Sequence, residues 1–358
     1  MRVKINGQEI YFFTAGSISL KLDSIASTFS LSVRFMPEND KHKELFKPLQ
    51  YHKIEFINDN GKLLLTGTIL SHSFVSDSGK NLLVLSGYSI CGILEDVTIP
   101  QELYPLENTN LTLKQIAQKL CGHFGLGLVV GNNAGNVNIV APDTEDEVNI
   151  IYKKTVASPT DTCKGYLSKL TSQRNILLSH DSKGNVVLFK PNANAKPKYF
   201  FNSENSLRMT SSYNGQALHS SISVLRQPSV DNEGVSTVDS IINPLIAKNR
   251  PTTKILSSGE DTDTSKAANN ELASELKAIS VTVELKGLFD DLFPGDIINL
   301  HAHEIYSFAY SLYMISEITL NFDETEDYTT LNLVLPETFS GEQPKNILFY
   351  YETHKRDN

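Results

Sequence analysis

The sequence predicts a mainly β protein in which an α+β insert lies between two β modules. Three observations support this prediction: apolar and polar residues alternate over most of residues 3–88 and 279–335, turn residues separate the alternating runs, and helical spacing is confined to a few short stretches. With 358 residues the chain is long enough to build more than one core.

The first β module is predicted over residues 1–97. Asn58–Gly61 and Asp77–Lys80 each separate two strand-like runs, and their Asn, Asp and Gly residues tolerate the positive φ of hairpin turns. Several short antiparallel strands without a long helix indicate a small barrel or sandwich, since closure removes exposed strand edges. We expect residues of about 200–227 to complete this module.

The insert is predicted over residues 98–195. Its first helix has apolar residues at helical spacing after the N-cap candidate Thr112, namely Leu113, Ile116, Ala117 and Leu120. A second helix is expected around Cys163–Leu170, followed by a hairpin over 175–189 that turns at Asp181–Gly184. Two helices and a hairpin of this size form a small α+β domain.

The remainder divides into three parts. Residues 228–278 are predicted to be a loop-rich excursion followed by a helix, because 228–265 are rich in Ser, Thr, Asp and Pro. Residues 279–340 return to strand alternation and form the second β module. Residues 341–358 are a separate C-terminal segment.

Composition disfavours several classes of protein. The formal net charge is −9, and tight nucleic-acid binding needs many cations to neutralise phosphates. No apolar run approaches the roughly 20 residues needed to span a bilayer, and the start lacks a signal-peptide core, so we expect a chain made in the cytoplasm and without membrane insertion. Cys91, Cys121 and Cys163 are far apart and are expected to be reduced core residues.

No catalytic or cofactor site is predicted. Ser86–Ser89 lacks the spacing of a hydrolase nucleophile elbow. The glycines of Gly125–Gly131 follow a helix and open a strand, the reverse of a dinucleotide loop. The carboxylates lie in polar, turn-like runs and are expected to be solvated.

One pair of histidines has a spacing that could place two metal ligands side by side. His301 and His303 are two residues apart, so on a strand their side chains share a face. A catalytic zinc normally has three protein ligands and no third histidine follows the pattern, so no metal site is predicted. Only a trimer that brings three copies together would change this expectation.

The C-terminal segment is the predicted partner-binding site. Its five apolar or aromatic residues are costly to leave in water; they are Ile347, Leu348, Phe349, Tyr350 and Tyr351. They would either dock on a neighbouring subunit or partner, or fold back as one more strand on their own barrel.

Six stretches resemble the baseplate hub proteins of Mu-like phages and, more distantly, hubs of larger contractile phages and type VI secretion spikes. They are Leu85–Val97, Leu111–Val130, Gly165–Phe189, Phe293–Ile298, Leu312–Ile318 and Thr330–Pro336. Within the first of them Tyr88 stands where that family usually has Arg. The resemblance is spread over roughly residues 1–340.

The resemblance implies a structural protein of the virion tail baseplate, assembled in the bacterial host cytoplasm. It implies a homotrimeric ring in which each chain gives two small antiparallel β-barrels, so that six barrels match a six-fold tail tube protein and three-fold symmetry meets a central spike protein. Baseplate wedge proteins would surround the ring, and DNA would pass through without specific binding. The family members of this type carry no catalytic residues to transfer.

Two other functions are compatible with the sequence. A carbohydrate-binding or hydrolytic protein on β-sandwich domains is one, because fold does not fix function, and 14 Tyr could replace the absent Trp as sugar platforms. Another tail ring or adaptor protein is the second.

Overall fold

The computed structural model describes residues 1–77, 80–131, 140–226, 238–256 and 264–344, and it confirms the predicted mainly β fold with helices. The strands are β1 Arg2–Ile5, β2 Gln8–Ile10, β3 Phe13–Lys21, β4 Thr28–Arg34, β5 Lys53–Ile57, β6 Leu63–Asp77, β7 Lys80–Ser89, β8 Glu107–Thr112, β9 Leu128–Val130, β10 Ile151–Val156, β11 Leu177–His180, β12 Val186–Phe189, β13 Tyr199–Asn202, β14 Arg208–Tyr213, β15 Ser221–Arg226, β16 Val238–Ile242, β17 Pro251–Leu256, β18 Ile279–Lys286, β19 Ile297–Ala302, β20 Ser307–Asp323 and β21 Tyr328–Val334. The α-helices are α1 Asp40–Leu45, α2 Ile93–Asp96, α3 Leu113–His123, α4 Thr144–Val148, α5 Cys163–Ser172, α6 Thr264–Leu276 and α7 Glu337–Ser340. No helix in the described part of the chain combines the length and apolar composition that crossing a bilayer requires.

Thirteen strands form one sheet that contains both β modules. Its main path runs β14-β18-β21-β20-β3-β4-β7-β6-β5-β1-β2, and β19 pairs with β20 and carries β13. The two modules meet where β3 pairs antiparallel with the second half of β20, from Glu317 opposite Lys21 to Asp323 opposite Ala15. The modules are therefore joined by a strand pair as well as by the chain.

The second module repeats the first. In chain order β3, β4, β5, β6 and β7 correspond to β14, β18, β19, β20 and β21, and the same neighbours pair antiparallel in both sets. In both modules the fourth strand is long, and its pairing with the fifth strand shifts register once, between Ile69 and Ser71 in β6 and between Ile315 and Glu317 in β20. A matching irregularity at a matching place identifies an internal structural repeat.

A single apolar core lies under the shared sheet. It joins residues of the first module such as Ile18 and Leu31 with residues of the second such as Ile318 and Leu331, all of them fully buried. Leu272 on α6 closes the same core. Burial of this kind stabilises a fold by about 25 cal/mol per Å² of apolar surface, so the two modules stabilise each other.

The insert has its own core, built on α3 and α5. Thr112 accepts a hydrogen bond from the Gln115 backbone, and the Gln115 side chain accepts one from the Thr112 backbone, which completes a capping box at the predicted start of α3. At the start of α5 the Thr162 hydroxyl oxygen accepts a hydrogen bond from the Gly165 backbone. The predicted hairpin is present as β11 and β12.

The turn of that hairpin fixes the insert to the first module. The hydroxyl of Thr66 donates to the Ser182 carbonyl at 2.8 Å, and the Cys91 thiol donates to the Gly184 carbonyl. A Cβ on Gly184 would lie 2.2 Å from the Ile90 side chain, so only glycine fits at this contact. These contacts hold the insert against the beginning of β6 and the end of β7.

Two predictions about the middle of the chain are wrong. Residues of about 200–227 do not complete the first module, because β13 and β14 pair with β19 and β18 of the second. The described part of 228–265 has more regular structure than the predicted loop-rich excursion, since β16 and β17 flank β15 in a separate three-stranded sheet. Alternation shows that a strand forms but not which partner it takes, and exposed edge strands tolerate the Ser and Thr residues found there.

Candidate functional site: the polar face of the shared sheet

The face of the shared sheet that points away from the core is polar, and we call it the polar face. From β14 to β7 its residues alternate with the buried ones and are half-buried or exposed. Most are Ser, Thr or Asn: Arg208, Thr210, Ser212, Ser280, Thr282, Glu284, Lys286, Tyr328, Thr330, Asn332, Glu317, Thr319, Asn321, Asp323, Ser17, Ser19, Lys21, Thr28, Ser30, Ser32, Arg34, Ser86 and Tyr88. Its apolar members are Ala15 on β3 and Leu82 and Val84 on β7.

The strand register aligns these residues in rows that cross from one module to the other. One row runs through seven strands with each residue directly opposite the next: Arg208, Glu284, Thr330, Thr319, Ser19, Thr28 and Tyr88. Directly opposed residues on one face have Cβ atoms about 5 Å apart, so the row is a continuous surface. The polar face is therefore uninterrupted at the junction of the modules.

Hydrogen bonds between side chains tie the face together across the junction. Glu317 accepts a hydrogen bond from the Ser19 hydroxyl and another, at 3.2 Å, from the Asn332 side-chain amide. The Asn332 side-chain oxygen, Oδ1, accepts from the Thr282 hydroxyl at 3.0 Å. This chain of polar groups spans β3, β20, β21 and β18 and holds each side chain in place.

The charges on the polar face are few and close to balanced. Four cations and three anions belong to it: Lys21, Arg34, Arg208, Lys286, Glu284, Glu317 and Asp323. Lys21 Nζ lies 3.8 Å from a Glu317 oxygen, and Arg34 lies 3.6 Å from Glu324 at the rim. A surface of hydroxyls and amides with paired charges presents little net field to a passing polyanion.

Backbone hydrogen bonds hold the pKa of Asp323 below its ordinary value. The carboxylate accepts from the Glu326 backbone and from the backbone and hydroxyl of Thr325, all at the turn between β20 and β21. Asp323 is therefore an anion at the rim of the polar face at every physiological pH.

Tyr88 ends the row on β7. Its hydroxyl donates to Asp96 on α2, and burial together with this bond raises the pKa of the phenol. A Cβ on Gly92 would lie 2.4 Å from the Tyr88 ring, so the ring packs directly on the backbone of the following turn. The tyrosine occupies this position as a packed, neutral residue.

The side chains of His301 and His303 lie in contact. The Nε2 atoms of His301 and His303 lie 2.9 Å apart, a hydrogen-bond distance between two imidazoles. Across the described ranges, no group of three or more His, Cys, Asp or Glu side chains is arranged to hold a metal ion.

The predicted partner-binding residues Ile347, Leu348, Phe349, Tyr350 and Tyr351 lie outside the described residues. The described residues end at 344. Near that point the Gln343 side-chain amide donates to the Ile242 carbonyl on β16 at 2.8 Å.

The polar face itself escaped sequence reasoning. Its signal is present in each strand as alternation, but the face is assembled from strands about 300 residues apart in the chain, and the pairing of β3 with β20 has no local signature. The internal repeat could have been sought by comparing the two long hairpins, whose alternation and length agree.

The sequence matches no protein-family model, and no curated protein matches it. Solved structures share its fold. A prophage MuSo2 43 kDa tail protein from Shewanella oneidensis superimposes with a TM-score of 0.75 at 16% identity, over 94% of this chain and 98% of that one. A tail protein from Neisseria meningitidis MC58 has a TM-score of 0.75 at 18% identity, over 95% and 97%.

A third protein, from Escherichia coli, has a TM-score of 0.57 at 12% identity, over 97% of this chain and 80% of that one. It is described as a component of the type VI secretion system with structural similarity to the phage T4 tail proteins gp27 and gp5. The chain therefore has the fold of these tail and type VI secretion proteins. The two tail proteins from Shewanella oneidensis and Neisseria meningitidis agree with the chain over nearly their whole length, which confirms the fold that the resemblance implied.

Proposed function

We propose that this chain is a structural, non-catalytic baseplate hub subunit of a contractile phage tail or a related injection machine. Three copies form a ring that joins the tail tube to the central spike. The observation that carries the proposal is the internal repeat within one sheet, because each chain then supplies two equivalent modules.

Two modules per chain solve a problem of symmetry. A ring of three chains presents six equivalent modules to a six-fold tube above it and three equivalent inserts to a three-fold spike below it. A closed ring requires one heterologous contact that repeats under rotation until it meets itself. The partners would be the tail tube protein, the central spike protein and the baseplate wedge proteins, in the virion tail baseplate.

In this ring the polar face lines the channel. Ser19, Thr282 and Asn332 on this face are already hydrogen-bonded to Glu317 or to each other. Three of its four cations, Lys21, Arg34 and Arg208, lie beside or opposite carboxylates. Non-specific DNA binding needs unpaired cations that release counterions from phosphates. DNA would therefore pass through the ring without being held, and the balance of charge on the face explains this better than the net charge of −9 over the whole chain.

The C-terminal residues 347–351 would dock on a neighbouring subunit or on the spike. They follow Gln343 by a few residues, and Gln343 lies against the exposed strand β16. Five apolar or aromatic residues at the end of a chain supply the kind of anchor that dominates binding energies at interfaces.

The experiment is a measurement of mass in solution by light scattering, on the full chain and on a chain that ends at residue 344. Chains of 39.8 kDa would form a trimer of 119.4 kDa. The shortened chain should remain folded and lose either the trimer or retention of a co-expressed spike. A full chain that is monomeric at tens of micromolar, with and without the spike, would refute the ring.

A further inference from the structure

The end of β19 brings two imidazoles together at a break in the strand ladder. His301 lies on β19, Ala302 is buried, and His303 opens a single 3-10 turn, His303–Ile305. The pairing of β19 with β20 shifts register between Leu300 and Ala302. An irregularity of this kind turns a side chain away from the direction that a regular strand would give it.

The two rings converge, although residues i and i+2 of a regular strand are about 6.6 Å apart along the chain. The ring centroids of His301 and His303 are 4.6 Å apart, and the rings are nearly perpendicular, at 84°. Their Nε2 atoms are 2.9 Å apart. The ring nitrogens farthest from the backbone therefore occupy one place beside the strand.

The turn that carries His303 is fixed by backbone and side-chain contacts. The Tyr306 N–H donates to the His303 carbonyl at 3.1 Å, and Tyr306 has a left-handed backbone with a φ of 63°. The Ser211 hydroxyl on β14 donates to the Ile305 carbonyl at 2.8 Å. A non-glycine residue in the left-handed region is kept there by its surroundings, and such residues are concentrated at sites that hold a ligand.

Phe200 on β13 supports the other imidazole. Its ring centroid lies 6.4 Å from that of His301, at an interplanar angle of 31°. The parallel pairing of β13 with β19 places it there, with Asn202 directly opposite His301. His301 is half-buried and His303 is exposed, so the pair is partly packed and is also open to solvent.

Two neutral imidazoles in this arrangement share one hydrogen bond, in which one Nε2 donates and the other accepts. When both Nε2 atoms are unprotonated, their lone pairs point into the same space, and a cation placed there is bound by both. Imidazole nitrogen is a common protein ligand of zinc, copper, nickel and iron ions. The pair therefore has the chemistry of a metal chelate.

The separation of the two nitrogens selects the coordination geometry. Bonds from a metal ion to imidazole are about 2.0–2.1 Å long. Two nitrogens that are 2.9 Å apart, and each about 2.05 Å from one ion, subtend an angle of about 90° at that ion. A tetrahedral ion such as Zn²⁺ would need the nitrogens to be about 3.3 Å apart. An angle of about 90° belongs to the square-planar and tetragonal complexes of Cu²⁺ and Ni²⁺.

We propose that His301 and His303 bind one divalent transition-metal ion of tetragonal preference, Cu²⁺ more tightly than Ni²⁺, with water in the remaining positions. Cu²⁺ heads the order of affinities of divalent first-row metals for nitrogen sites. Zinc stays disfavoured, because no third ligand joins the pair among the described residues. The site is not part of the polar face, and it does not depend on the number of copies in the ring.

Calorimetric titration of the metal-free full chain with CuCl₂ tests the site. The tightest binding should correspond to one Cu²⁺ per chain. His301→Ala and His303→Ala should each raise the dissociation constant for this ion by at least about tenfold, since even indirect partners of metal ligands change affinity by about 10–100-fold. His123→Ala is the matched control, because His123 is an exposed histidine at the end of α3 in the insert, and this variant should bind like the parent.

Electron paramagnetic resonance of the copper-loaded parent gives a second readout that needs no variant. The spectrum should show splitting from two equatorial imidazole nitrogens, and a spectrum with one nitrogen or none would refute a site made by the pair. An unchanged Cu²⁺ affinity in either His301→Ala or His303→Ala would also overturn the proposal, because the ion would then be bound elsewhere on the chain. The same titration with NiCl₂ and ZnCl₂ should give tighter binding of Ni²⁺ than of Zn²⁺, and the reverse order would contradict the tetragonal geometry.

Discussion

Gly87 on β7 lies where no side chain fits, and its replacement by alanine should destabilise the fold. A Cβ built on Gly87 lies 1.9 Å from the Thr68 carbonyl oxygen and 2.8 Å from the ring of Phe29. Contacts under 3.0 Å are essentially never seen, so β6 and β7 would have to separate by about 1.1 Å at this point. The obstacle is backbone held in a ladder, so it cannot rotate away. Overpacking of this kind costs about 1–3 kcal/mol.

Gly122 in α3 is the matched control, since nothing lies within 4 Å of a Cβ built on it. Alanine is favoured over glycine inside a helix by about 0.5–1 kcal/mol, so Gly122→Ala should raise the free energy of unfolding slightly. Urea unfolding of both variants and the parent, followed by circular dichroism, measures the difference. If Gly87→Ala unfolds at the same urea midpoint with the same slope as the parent, the close approach of β6 to β7 is not real.

Two further predictions concern buried titratable groups. Burial lowers the pKa of His180, although its Nδ1 lies 2.9 Å from the Asp181 carbonyl. A pKa that is lower in the folded than in the unfolded chain stabilises the fold above the unfolded pKa of about 6.5, and this stabilisation is lost as the pH falls below that value. The free energy of unfolding should therefore decrease from pH 7.5 to pH 5, and it should decrease less in His180→Asn. An equal decrease in the parent and the variant would show that His180 is not the cause. Cys91, Cys121 and Cys163 are fully buried, and burial raises the pKa of all three thiols, to about 12 for Cys121 and about 11 for Cys163. A colorimetric disulfide reagent at pH 8 should therefore react with none of them in the native chain and with all three in denaturant, whereas rapid reaction of the folded chain would show that the insert core opens.

Local chemistry accounts for the elements that were predicted correctly. Thr112 and Gln115 mark the start of α3 because the capping box is formed within four residues. The turn at Asn58–Gly61 was equally predictable from local sequence, since Gly61 has a φ of 82° and the Asn58 side chain accepts a hydrogen bond from the Lys62 backbone. Signals of this kind need no knowledge of the rest of the chain.

The elements that were misassigned depend on distant partners. β14 is separated from its partner β18 by more than 60 residues, and nothing in its alternation tells which module it joins. The strands β16 and β17 were not predicted because Ser, Thr and Asp dilute their apolar pattern. Ile222 and Val224 on the central β15 are nevertheless fully buried in the main core. The polar face could not be predicted at all, since it is a property of the assembled sheet and not of any one segment.

The joining of β3 to β20 has a mechanical consequence. Proteins that present two modules through a linker leave the angle between them free, and an assembly must then fix that angle at some cost in conformational entropy. Here seven opposed residue pairs and a common core set the angle while the single chain folds. A force applied to one module would be transmitted to the other through a row of parallel backbone hydrogen bonds between β3 and β20. No flexible linker lies between these two strands to absorb the displacement. A ring made of three such units would behave as a stiff collar with three seams in place of six.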